Sequence, residues 1–139
     1  MIRIQGLTVG YGRKPVIRGL DASFAPGRFT ALVGPNGCGK STLLKAVMGF
    51  LRPQAGRVTL DGVPMARIPR RALARRIAWL PQENHCPDYL TLGELVEMGG
   101  HARQGLFAGP DDRDRLLFRE ALRIVGLQDQ AHLPVNAPS

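Results

Sequence analysis

The apolar positions of this 139-residue chain change their period several times. Residues 2–9, IRIQGLTV, alternate through Ile2 and Ile4, then resume at Leu7 and Val9 after a shift at Gly6. That pattern predicts a strand with a bulge at the glycine. YGRKP at 11–15 reads as a turn, and VIRGLDASF at 16–24 as a second strand pairing antiparallel with the first. APG at 25–27 is a tight turn. RFTALVG at 28–34 is a short, nearly continuous apolar run, which suits a strand buried on both faces of a sheet. It leads into VGPNGCGKST at 33–42. KSTLLKAVMGFL then has helical spacing, with Leu43, Val47 and Phe50 on one stripe and Leu44 and Met48 beside it. Arg52 and Pro53 are expected to end that helix.

Further along, GRVTLDG at 56–62 predicts a strand closed by an Asp-Gly turn. RRALARRI at 70–77 reads as a short basic helix, and IAWLPQ at 77–82 as an apolar strand that stops at Pro81. TLGELVEMG at 91–99 opens on Thr91 with Glu94 three residues on, a capping-box pattern. HARQGLFAGP at 101–110 is a loop. DDRDRLLFREALRIVG at 111–126 carries acids in its first turn, Leu117, Ala121 and Val125 on one stripe, and Gly126 as a stop. Residues 127–139 show no strong period, and the chain has no internal repeat or low-complexity tract.

Composition is that of an ordinary globular domain, 44% hydrophobic and 22% charged. No apolar run reaches the roughly 18 residues a membrane span needs. The start alternates and turns too early for a signal peptide. Cys38 and Cys86 do not make a disulfide framework, and a thiol inside a glycine loop points to a reducing, cytoplasmic setting. The net charge is +8, much of it from Arg52, Arg57, Arg67, Arg70, Arg71, Arg75 and Arg76, with Asp61 the only acid between 50 and 76. Such a region can face nucleic acid, an anionic membrane surface or simply water. No aromatics interleave these arginines, which disfavours single-strand binding.

The loop carries the chemistry. Gly34, Gly39, Lys40 and Ser41 fit the spacing G-x-x-x-x-G-K-[ST]. Glycines let the backbone bring its N–H groups close to an anion. The helix that follows aims its free N–H groups and positive dipole end at the same place. Lys40 supplies a point charge for the β- and γ-phosphates, and Ser41 a hydroxyl for Mg²⁺. Chance would produce this spacing on the order of once in 200 chains of this length, and the strand–loop–helix context reduces that further.

The fuller string GPNGCGKSTLLK at 34–45 resembles the Walker A loop of the ATP-binding cassette (ABC) family, the ATPase subunits of membrane transporters. AGRVTLDG at 55–62, RRIAWLPQ at 75–82 and DYLTLGELVEMG at 88–99 resemble, in order, the hairpin, the strand leading to the Q-loop and the start of the helical subdomain in that family. The resemblance implies an α/β P-loop NTPase fold with an N-terminal antiparallel β region, the P-loop core through 84, and a helical subdomain beginning at 85. It implies a nucleotide site of Tyr11, Gly34, Pro35, Asn36, Gly37, Cys38, Gly39, Lys40, Ser41 and Thr42, with Tyr11 stacking on adenine. Lys40 and Gln82 would be the catalytic groups, and Ser41 and Gln82 would hold Mg²⁺ beside ATP. Among ABC ATPases the chain most resembles those of iron–siderophore, haem and cobalamin importers, with zinc and manganese importers the near alternative. Its partners would be a membrane permease, a second ATPase subunit and, indirectly, a substrate-binding protein, at the inner face of the cell membrane. His85 and Cys86 are too few to fill a tetrahedral metal site.

Other family elements are expected to be missing. HLPVNAPS at 132–139 resembles the approach to the signature motif, with Ser139 at its serine and Pro138 in place of its leucine. The signature glycines, the Walker B Asp-Glu and the switch histidine do not follow; His85, His101 and His132 all precede that region. The expectation is a C-terminally truncated ATPase domain that binds ATP without useful turnover, since phosphoryl transfer to water needs a group that orients the nucleophile. A basic P-loop protein acting on nucleic acid and an inert remnant are the competing readings.

Overall fold

The structure, a computed structural model, describes residues 1–82, 86–104 and 109–136. The chain forms two compact units, Met1–Trp79 and Leu80–Ser139.

The first unit is built on an antiparallel sheet of β1 (Ile2–Tyr11), β2 (Lys14–Phe24), β3 (Ala55–Leu60) and β4 (Val63–Pro64), in the order β2-β1-β3-β4. Ile4, Leu7 and Val9 of β1 are all buried, although an odd step separates Ile4 from Leu7. Strict alternation would put them on opposite faces. The register shifts between Ile4 and Leu7, and Gly6 (φ 55°) lies in the interval, as the apolar pattern predicts. The Gly6 amide donates to the Asp21 carboxylate at 2.9 Å, so the irregularity leaves that donor satisfied. On β3, a Cβ at Gly56 (φ 73°) would lie 2.3 Å from the Gly6 carbonyl oxygen, an approach only glycine permits. Asp61 (φ 50°) and Gly62 (φ 82°) both take left-handed conformations, which closes the β3–β4 turn as an Asp-Gly pair should.

Helix α1 (Lys40–Val47) lays Leu43, Ala46 and Val47 into the core with Ile4, Leu7, Val9, Val58, Leu60 and Met65. It is shorter than its apolar stripe suggests. Gly49 (φ 73°) stops it: the Gly49 amide donates to Ala46 and the Phe50 amide to Lys45, a Schellman closure. Phe50 therefore leaves the stripe and meets Trp79 edge-on, ring centroids 6.1 Å apart. The basic segment forms helix α2 (Arg70–Ala74), from which Leu73 packs against the core.

Two expected strands are not formed. Residues 28–34 carry no strand pairing, and Phe29 and Val33 are 97% and 89% exposed. Residues 77–82 are likewise unpaired, with Leu80 82% exposed. A strand buried on both faces needs hydrogen-bonded neighbours as well as cover. Among the described residues no strand pairs with either run.

The second unit holds helices α3 (Leu92–Met98) and α4 (Asp112–Ile124). The capping box of α3 is complete: Thr91 Oγ1 accepts from the Glu94 amide at 3.2 Å, and Glu94 accepts from the Thr91 amide at 2.9 Å. Asp111 caps α4 by accepting from the Asp114 amide at 2.7 Å. The buried face of α4 is Asp114, Phe118 and Leu122, one residue away from the expected Leu117, Ala121 and Val125. Both sets have i,i+4 spacing, and tertiary fit chooses between them. A Cβ at Gly100 would lie 2.7 Å from the Phe118 ring, so the missing side chain makes room for the aromatic. The chain after α4 makes a 3₁₀ turn at Gln128–Gln130 and returns to the start of α3. There the amides of Leu92 and Gly93 donate to the Leu133 and Ala131 carbonyls at 3.0 and 2.8 Å. His85, Pro138 and Ser139 lie outside the described residues.

Candidate nucleotide-binding site

Gly39 (φ 101°) is the N-cap of α1 and offers no side chain to the helix end. The first-turn amides of an α-helix have no partners within it, and the first turn here carries no acid. Gly39 is also where the loop meets the sheet: a Cβ there would lie 3.2 and 3.3 Å from carbons of Val16 and Ile17 on β2. Residues 34–38 are exposed, which leaves this end of the helix open to a ligand.

Lys40 folds back over the loop. Its Nζ donates to the carbonyls of Gly34 and Pro35, both at 2.7 Å, and lies 3.8 Å from Cys38 Sγ. The cation thus sits among loop atoms, beside an N-terminal helix end that also favours negative charge. Ser41 is exposed on the first turn, while Thr42 is buried beneath it and helps seat the helix. Pro35, Asn36 and Gly37 (φ 80°) form the crest of the loop.

Tyr11 ends β1 and is 52% exposed. Two contacts that no sequence period signals fix its surroundings. The Gln54 side chain donates to the Gly12 carbonyl at 2.8 Å, tying the hairpin turn to the segment after α1. Lys45 of α1 places its ammonium 6.0 Å from the Tyr11 ring centroid. Tyr11, the glycine loop and α1 are therefore parts of one unit. Gln82 is exposed and falls in the other unit.

The acids of the first unit are Asp21 and Asp61, and both are engaged in the fold. Asp21 accepts from the Gly6 amide. Asp61 accepts from the Met1 ammonium and from the Arg76 guanidinium. Those bonds, the amino terminus first, hold its carboxyl below the usual range. Neither acid serves the loop. Among the described residues no three His, Cys, Asp or Glu side chains gather as a metal cluster. A cation at the loop would instead find Ser41, a hard hydroxyl oxygen, which suits Mg²⁺ because that ion keeps waters and phosphate oxygens as its remaining ligands.

The sequence profile described as "ABC transporter" matches residues 17–138. The iron(3+)-hydroxamate import ATP-binding protein FhuC of Bacillus subtilis (strain 168) is 38% identical over 96% of this chain and 49% of its own length. The ferric enterobactin transport ATP-binding protein FepC of Escherichia coli (strain K12) is 36% identical over 99% of this chain and 51% of its own. The zinc transport system ATP-binding protein TroB of Treponema pallidum (strain Nichols) is also 36% identical, over 91% of this chain and 46% of its own. The chain thus spans about half the length of these curated relatives. A solved ATP-binding subunit of an ABC transporter superposes with a TM-score of 0.81 at 26% identity, over 100% of this chain and 56% of that one. A glycine loop opening α1, a tyrosine-ended strand in the same unit and a profile match along most of the chain place this protein in the ABC transporter family, among its ATP-binding domains.

Proposed function

We propose that the chain binds Mg-ATP as the nucleotide-binding part of an ABC importer's ATPase subunit, and that the importer's cargo is an iron chelate or cobalamin. The observation that carries the first half is the Lys40 ammonium held between two loop carbonyls at the open N-terminus of α1. An incoming triphosphate replaces those carbonyls as the partner of the cation. The loop amides of Gly34 and of Asn36 to Thr42 surround the phosphates, and Lys40 takes the β- and γ-oxygens. Ser41 and Gln82 are the residues that would hold the metal ion. When bound there, Mg²⁺ would supply positive charge against the phosphates. Tyr11 offers its exposed ring to the base. Lys40 and Gln82 are the groups of this chain assigned to catalysis, Gln82 through the attacking water.

The cargo rests on relatives named for iron chelates; the zinc relative makes metal-ion importers the comparison to beat. A P-loop core over 1–84 would carry the nucleotide, and the helical region from 85 onward would meet the permease. Among the described residues no helix is long and apolar enough to cross a membrane. As the nucleotide-binding part of an importer, the protein is assigned to the cytoplasmic face, held there by the permease and paired with a second ATPase subunit, with a substrate-binding protein acting indirectly. Purification of the intact protein through a tag tests the partner: a permease should accompany it, and a nucleic-acid complex instead would overturn the transport reading. Uptake of labelled siderophore, cobalamin or zinc in cells lacking the gene decides the cargo.

A further inference from the structure

Lys45 stands five residues beyond Lys40 on the same helix, and its ammonium lies 6.0 Å from the Tyr11 ring centroid. The two acids of the unit are occupied elsewhere, Asp21 at Gly6 and Asp61 at Met1 and Arg76. The cation's neighbour is thus an aromatic face rather than a carboxylate. The ring's attachment is held as well. Tyr11 pairs with Lys14 across the hairpin, and Gln54 binds the next carbonyl, that of Gly12. Half of the Tyr11 surface nevertheless stays exposed.

We propose that Lys45 is a positioning residue for base recognition: from the α1 side it holds the Tyr11 ring so that the exposed part takes the base of a purine nucleoside triphosphate. The inference rests on the nucleotide-binding reading above and extends it. An ammonium near a ring face is attracted by the ring's quadrupole and restricts the orientations the ring samples. A fixed ring loses less entropy when a base stacks on it. Lys40 and Lys45 share one helix, so phosphate cradle and base platform keep one separation. That separation selects ligands with a base at nucleotide distance from the phosphates.

The competing role for Lys45 is general positive charge that attracts any polyphosphate. The two roles differ in which ligand they affect. Affinities of the intact protein for ATP and for inorganic tripolyphosphate, both with Mg²⁺, are measured for wild type, Lys45→Met and Lys45→Arg. Lys45→Met should weaken ATP by about three- to tenfold, the span of an exposed to partly desolvated cation–π contact. Tripolyphosphate should bind unchanged, and Lys45→Arg should restore ATP. In a Tyr11→Leu background, Lys45→Met should have no further effect on ATP. Equal losses for both ligands, or unchanged ATP affinity in Lys45→Met, would overturn the inference and leave the phosphate site standing. Wild-type protein that binds neither ligand would overturn the nucleotide reading itself.

Discussion

The Lys40 ammonium donates to the Gly34 carbonyl across 2.7 Å, six residues back along the loop. With the matching bond to Pro35, the loop is closed around its own cation. A phosphate bound at the loop would draw that cation away, and Cys38, exposed and 3.8 Å from Nζ, lies beside it. Mg-ATP should therefore slow alkylation of Cys38 severalfold, read by peptide mass spectrometry. Cys86, in the other unit, serves as the internal reference. Equal labelling of Cys38 with and without Mg-ATP would place the nucleotide elsewhere.

Gly39 should tolerate substitution poorly. Its φ of 101° is strained for any L side chain, and a Cβ would press on Val16 and Ile17. Gly39→Ala should cost about 1–3 kcal/mol in urea unfolding. Gly27→Ala, also at positive φ but with nothing within 4 Å, should cost less. Equal costs would mean that contact with β2 does not matter.

The face of α4 can be tested by deletion. Phe118→Ala should destabilise by about 3 kcal/mol or more, because it empties a buried site. Leu117, 44% exposed, should cost under about 1 kcal/mol as alanine. The reverse order would restore the face expected from periodicity.

The capping box of α3 should depend on pH with a definite sign. The Thr91 amide, then the Thr91 hydroxyl, hold the Glu94 carboxyl below its ordinary value of 4.5. Its folded value is depressed, so its stabilisation is fully present above the unfolded value. It is lost as pH falls through the folded one. Amide protection factors in α3 should therefore exceed those of Glu94→Gln at neutral pH and at pH 5, and the difference should close in stronger acid, where the wild-type carboxyl is also neutral. A difference independent of pH would show that the carboxylate takes no part.

What was legible in the sequence was local. Gly6, Asp61-Gly62 and the Thr91–Glu94 pair each act within a few residues, and each formed as its chemistry predicts. The glycine loop and the start of α1 belong with them. The end of α1 had a local signal too, Gly49, but apolar Phe50 one residue later continued the stripe and masked it. The face of α4 was not legible, because 114-118-122 and 117-121-125 are equally periodic and Gly100 decides between them from outside the helix. Burial of 28–34 and 77–82 depends on strands remote in sequence, which an apolar run cannot specify. The same holds for Tyr11 with Lys45 and for Gly12 with Gln54: each pair spans the loop and much of α1, and neither follows a period.

Binding of a nucleoside triphosphate by the loop at 34–42 should depend on Lys40. Equilibrium titration of the intact protein and its Lys40→Ala variant with Mg-ATP tests it most directly. The wild type should bind saturably and the variant at least tenfold more weakly, since charge-assisted bonds to phosphate contribute about 1.5–3 kcal/mol. Circular dichroism should show both proteins equally folded. Unchanged affinity in a folded Lys40→Ala protein would contradict this dependence.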